Sequence, residues 1–135
     1  MEPDDLYCRL YINSPGDLDE LRSTLAGLIE GKVAGRNVLN AMIDFHVVGN
    51  DTFDPKRSQH DDGFTNYPYT AEVEASYGLL DNPSATGVVA FIDILCQAIV
   101  GLRSVRMQVV ASCAYEDEIS EKTGWNWTEK TPKHP

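Results

Sequence analysis

Basic residues are scarce in this chain. Lysines and arginines number 11 against 21 aspartates and glutamates, which gives a formal net charge of -10 over 135 residues. A field of that sign repels nucleic acid and anionic membrane and draws in cationic partners. No Cys-x-x-Cys pair, no Gly-x-Gly-x-x-Gly and no phosphate-binding loop occurs. Zinc, dinucleotide and nucleotide chemistry therefore lack their motifs. Cysteine is limited to Cys8, Cys96 and Cys113, an odd number set in apolar runs. They read as reduced core residues, inert as nucleophiles, in a reducing compartment. The amino terminus, with Glu2, Asp4 and Asp5, has neither the basic start nor the apolar stretch of a signal peptide. The apolar-rich window 87–102 contains Asp93 and Gln97 and is shorter than a membrane span. The expectation is a cytoplasmic protein, acting on neither nucleic acid nor membrane.

What is present is an ordinary globular balance, 42% hydrophobic and 24% charged. That suffices for one domain with its own core. The reading is a single domain over 1–135, with 1–5 and 128–135 as flexible ends.

Periodicity sets out the elements. Residues 6–12 alternate, with Leu6, Cys8, Leu10 and Ile12 on one side and Tyr7, Arg9 and Tyr11 on the other, as in a half-buried strand. Ser14 and Pro15 then open a helix, whose stripe is Leu18, Leu21, Leu25, Leu28 and Ile29 and whose stop is Gly31. Residues 38–48 alternate as one strand, with Asp44 and His46 on its polar side. Residues 49–66 read as a long polar loop. Residues 67–77 form the next strand, with Glu72 and Glu74 outward. A second helix begins at Asn82-Pro83-Ser84, and its expected buried face is Val88, Val89, Ile92, Leu95, Cys96 and Ile99. Residues 104–113 form a fourth strand, on which Val110 interrupts the polar side. An acidic short helix at 115–122 stops at Gly124.

The order β-α-β-β-α-β with right-handed crossovers predicts an α+β fold. The expected form is the ferredoxin-like, split βαβ arrangement: a four-stranded antiparallel sheet with two helices on one face. The other face is left open, carrying Tyr7, Arg9, Tyr11, Asn40, Asp44, His46, Glu72, Glu74, Arg106 and Gln108. Tyr7, Tyr11 and Met42 there could seed a symmetric dimer; a monomer is favoured over that homodimer.

Three constellations bear on chemistry. His46 lies two residues from Asp44 on one strand face, so the pair could form a base near neutral pH, or a surface histidine beside a carboxylate. With Tyr11 these are the acid–base residues of the alternative reading, a small enzyme of isomerase or oxygenase type. His60, Asp61 and Asp62, with Asp51 and Asp54, offer oxygen ligands, but their spacing fits no calcium loop. No metal site and no cofactor is assigned. Glu116, Asp117 and Glu118, beside Tyr115, Trp125 and Trp127, combine carboxylates with aromatic anchors, as a site for a basic protein surface does. The tryptophans could equally pack on the sheet.

The run Ala114-Tyr115-Glu116-Asp117-Glu118-Ile119, followed by Thr123-Gly124-Trp125-Asn126-Trp127, resembles the ending of small bacterial immunity proteins encoded beside polymorphic or contact-dependent growth-inhibition toxins. The resemblance implies no catalysis. It implies a one-to-one complex in the cytosol with a cognate toxin domain, often a nuclease with a basic cleft that acidic residues block. Tyr115, Glu116, Asp117 and Glu118 are then the first toxin-binding candidates, and Asp61 and Asp62 a second patch.

Overall fold

A computed structural model describes residues 1–57 and 61–128. The fold is α+β, one antiparallel sheet of six strands with four helices. In chain order these are β1 (Cys8–Asn13), α1 (Leu18–Leu28), β2 (Lys32–Ala34), β3 (Asn37–Leu39), β4 (Ile43–Gly49), β5 (Tyr69–Ala75), α2 (Tyr77–Asp81), α3 (Ala85–Ser104), β6 (Gln108–Cys113) and α4 (Glu116–Thr123). Short 3-10 turns occupy Pro3–Leu6 and Asp61–Asn66. The strands lie in the order β2-β3-β4-β5-β1-β6.

The sheet has six strands rather than the expected four because 38–48 is not one strand. Asn40 breaks it. Its Oδ1 accepts from the main-chain N–H groups of Met42 (2.8 Å) and Ile43 (3.1 Å), and its Nδ2 donates to Ile29 O (3.0 Å). This side-chain-made turn reverses the chain, so β3 pairs antiparallel with β4. A second reversal at Gly35 and Arg36 adds β2, with Ala34 facing Asn37. Gly35 sits at φ +63°, which glycine adopts without strain. One unexpected short helix, α2, joins the two long ones, and α4 is the acidic short helix expected before Gly124. The first cap also differs: Asp17, not Ser14, caps α1, accepting from Glu20 N at 2.9 Å. Ser84 caps α3 in the same way through Gly87 N (2.9 Å). Gly124, at φ +92°, ends α4 in the left-handed conformation that a helix stop favours.

One face of the sheet carries the core. Cys8, Leu10, Ile12, Ile43, Phe45, Val47, Ala71, Val73, Val109 and Ala111 point into it. Leu21 and Leu25 of α1, the buried side of α3, and Ile119 of α4 close over them. Each wholly buried side chain such as Phe45 or Phe91 contributes roughly 1.5–3 kcal/mol of burial. By length and composition α3 is long and apolar enough to cross a membrane, 20 residues with mean hydropathy 2.0, unlike the shorter window read from the sequence. In the fold half of it is buried.

The other face is divided. Over β1 and β6 it is covered: Phe64, Tyr67 and Val110 form a second buried cluster, flanked by Tyr11, Trp125 and Trp127. Phe64 meets Tyr11 edge-on at 5.3 Å and Trp127 at 5.2 Å between ring centres. Buried Val110, the apolar interruption of β6's polar side, is the floor of this cluster. The long loop is held over the sheet by asparagines. Asn66, wholly buried, accepts from Asp54 N (2.7 Å) and donates to Asp54 O (2.7 Å). Asn50 Nδ2 donates to Thr65 O (2.9 Å) and Tyr67 O (2.8 Å). Over β4 and β5 the face carries polar side chains.

Candidate functional site

The open half of the sheet gathers Asn37 of β3, Asp44 and His46 of β4, and Glu72 and Glu74 of β5 around a depression of about 240 Å³. The register explains why. Asn37 faces His46, His46 faces Glu72, Glu72 faces Arg9, and Asp44 faces Glu74. Alternation puts all these side chains on the side away from the core.

Glu72 is compensated. Arg9 Nη2 donates to its Oε1 at 2.8 Å and Tyr7 Oη at 3.1 Å. The Arg9 hydrogen bond, with that of Tyr7, holds the Glu72 carboxyl below its usual range, against a smaller opposing effect of burial. Asp44 and Glu74 are not compensated in this way. They face each other directly across β4 and β5, and neither is among the three ion pairs of the described residues, Arg9–Glu72, Arg22–Asp19 and Lys122–Asp93. Like charges in directly opposed positions cost a sheet stability.

Asn37 links Asp44 to His46. Its Nδ2 donates to Asp44 Oδ1 (2.8 Å), and its Oδ1 lies 3.2 Å from His46 Nδ1. Since an amide oxygen only accepts, Nδ1 is the donor in that contact. Tyr11, the third residue of the alternative acid–base set, packs on Phe64 in the covered half.

The helix α4 candidates are distributed differently. Tyr115 is buried, and its Oη donates to Leu6 O at 2.6 Å. It anchors the 3-10 turn at the amino terminus instead of presenting a ring to a partner. Glu116 is half-buried and its Oε1 accepts from Cys113 N (3.2 Å). Asp117 is exposed and Glu118 half-buried in the first turn of α4. Asp61 and Asp62 are placed by their main chain in the 3-10 turn; their side chains lie outside the described part. His60, and 129–135 of the expected flexible tail, also lie outside the described residues. Asp51 is exposed and Asp54 Oδ1 accepts from Lys56 N (2.9 Å). Among the described residues no three His, Cys, Asp or Glu side chains are disposed to hold a metal ion.

Sequence reasoning placed Glu72 and Glu74 on the open face but not in a site, and it missed Asn37. The signal for the glutamates was Glu72-x-Glu74 on a strand whose other side is apolar. Asn37 gave none, because the turn that brings β3 beside β4 was hidden in the alternation. The chain matches no known family model, no curated protein and no solved structure.

Proposed function

We propose that this protein binds and neutralises a cationic protein, a cognate toxin domain of the kind immunity proteins silence, with the open half of its sheet as the contact surface. The observation that carries this is the Asp44–Glu74 opposition. Two carboxylates face each other, neither with an ion-pair partner among the described residues, on the open sheet face of a chain of net charge -10. A lysine or arginine from a partner, entering the depression between them, would relieve the repulsion and gain two charge-assisted hydrogen bonds. Tyr7, 43% exposed beside Glu72, supplies an aromatic rim. The exposed carboxylates of α4, Asp117 foremost, act at longer range by steering encounter. The complex is one-to-one, with a monomeric inhibitor in the cytoplasm and a basic nuclease as the favoured toxin.

We also read the sheet as a ferredoxin-like unit extended at one edge. The inner order β4-β5-β1-β6, with α1 and α3 in the two crossovers, supports this. The β2–β3 hairpin is then the extension, and it supplies Asn37 to the depression.

The test is co-expression with the toxin domain encoded beside the gene. Wild type should rescue growth and co-purify with the toxin. Glu74→Lys and Asp44→Lys should abolish rescue; Glu2→Lys should not. Association should slow as salt rises, because screening shortens the field. If wild type neither rescues nor forms a complex, the function is wrong. If Asp117→Lys alone abolishes rescue, the surface is α4 and not the sheet.

One observation favours a second reading, the small enzyme using His46 and Asp44. The Asp44–Asn37–His46 chain orients the imidazole through Nδ1, so that a base at this position would work through Nε2. His46→Gln separates the two. His46 lines the same depression, so rescue should weaken only modestly while Asp44 and Glu74 remain if the face is a binding surface, and proton-abstraction activity should be lost outright if His46 is a base.

A further inference from the structure

We propose that Cys8 and Cys113 form a reversible oxidation site that closes to a disulfide when the protein meets a hydroperoxide. The two residues sit directly opposite each other on β1 and β6. Both side chains point to the core side of the sheet. The phase of the ladder follows from Asn126. Its side chain bonds both the N–H and the C=O of Ala111, so those groups turn away from β1. Leu10–Ala111 is therefore a pair that exchanges no main-chain hydrogen bonds, and Cys8–Cys113, two residues on, has the same phase. In such pairs the Cα atoms approach to about 4.5 Å. That falls within the span a disulfide bridges, about 4.4–6.8 Å.

The two thiols face each other across the ladder, and they are not equivalent. Cys113 is half-buried; Cys8 is wholly buried. The neighbouring Cys8 thiol, with a smaller effect of the Tyr115 main chain, lowers the Cys113 thiol against its burial. Cys8 is raised by its neighbour Cys113 and by burial. Cys113 is thus the attacking thiol and Cys8 the resolving one. The Cys113 thiolate attacks a peroxide oxygen, the O–O bond breaks and hydroxide leaves, taking a proton to become water. Cys113 is left as a sulfenic acid. The Cys8 sulfur, losing its proton, attacks the Cys113 sulfur; the S–O bond breaks and a second water leaves. Two thiols are oxidised and one hydroperoxide is reduced. Cys96 lies on α3 and not in the β1–β6 pair, and it stays out of the exchange.

Full-length protein treated with hydrogen peroxide and then denatured should show one of its three free thiols. Its mass should fall by two hydrogens, and proteolytic mapping should join the Cys8 and Cys113 peptides. Dithiothreitol should restore all three thiols. Cys8→Ser should trap Cys113 as a dimedone-reactive sulfenic acid, and Cys113→Ser should give no adduct at Cys8. Three surviving thiols, or a bridge that includes Cys96, would overturn the proposal. The mapping uses wild type, so its outcome does not depend on a variant folding.

Discussion

Asn126 is paired with Ala111 as one strand is paired with the next. Ala111 N donates to Asn126 Oδ1 at 2.8 Å and Asn126 Nδ2 donates to Ala111 O at 2.9 Å. Asn126 is wholly buried. The pair seals the outer edge of β6, which Arg103 continues at Val109 O (2.7 Å) and Glu116 at Cys113 N (3.2 Å). A sheet edge left open invites pairing with another chain. Asn126→Ala should therefore leave two buried main-chain groups without partners, at roughly 1–3 kcal/mol each. Urea unfolding should show a loss of roughly 2–6 kcal/mol for the two groups together, and Asn126→Asp, which keeps only the acceptor, should fall between. A change below about 0.5 kcal/mol for the alanine variant, the size of an unremarkable surface substitution, would mean the edge is sealed by something else.

Tyr115 joins the two ends of the described chain, with its hydroxyl on Leu6 O at 2.6 Å. Tyr115→Phe should cost about 1–2 kcal/mol, the net worth of one such bond with its carbonyl left unpaired. The pH dependence follows from the same burial. Burial first, then nearby thiols, raises the Tyr115 hydroxyl above its ordinary value of 10.0. The contribution to stability is full below the unfolded value and is lost as pH rises through the folded one. Wild type should lose stability above about pH 10, the unfolded tyrosine value, and Tyr115→Phe should show a shallower alkaline decline. Denaturant titrations between neutral and strongly alkaline pH measure both.

Glutamates two residues apart on β5 should respond in opposite directions. Removing Glu74's charge relieves the opposition to Asp44, so Glu74→Gln should stabilise by roughly 0.2–1 kcal/mol while it weakens toxin binding. Glu72→Gln breaks the pair with Arg9, whose side chains are 43% and 40% exposed, and should destabilise by no more than about 1 kcal/mol. The Glu72 contribution is present above the unfolded carboxylate value and disappears as pH falls through its lowered folded value. Equal signs for the two variants in thermal unfolding would refute the charge argument on which the binding surface rests.

The sequence made the core legible where alternation met a half-buried strand. Leu10, Ile12, Phe45, Val73 and Val109 were all placed inward by a period of two. It hid the β3–β4 turn, because Asn40 reverses the chain by side-chain hydrogen bonds that leave the alternation intact. Tyr115 misled for a different reason: an aromatic beside carboxylates suits a binding anchor and a core residue equally, and only its distant partner Leu6 decides. The exposed carboxylates of the sheet were visible singly. Their opposition depends on register, which no local pattern fixes.

Arg103 projects from α3 toward the β6 edge, and burial pushes its guanidinium down from the ordinary arginine value. Nη2 donates to Val109 O (2.7 Å), and Nη1 to Trp125 O (2.8 Å) and Thr123 Oγ1 (3.1 Å). The charge also lies 5.6 Å over the Trp125 ring. One side chain thus ties α3, the β6 edge and the carboxyl-terminal segment together. A lysine cannot span these acceptors, because its donors radiate from a single nitrogen while the guanidinium holds a planar fork. Arg103→Lys should therefore behave nearly as badly as Arg103→Met. Trp125 and Trp127 are the two tryptophans of the chain, so fluorescence reports this segment alone. In both variants tryptophan emission should shift to the red at lower urea than the loss of far-ultraviolet circular dichroism, as the segment detaches before the sheet unfolds. Wild type should show the two transitions together. If the variants keep coincident transitions at the wild-type midpoint, Arg103 does not hold the segment in place.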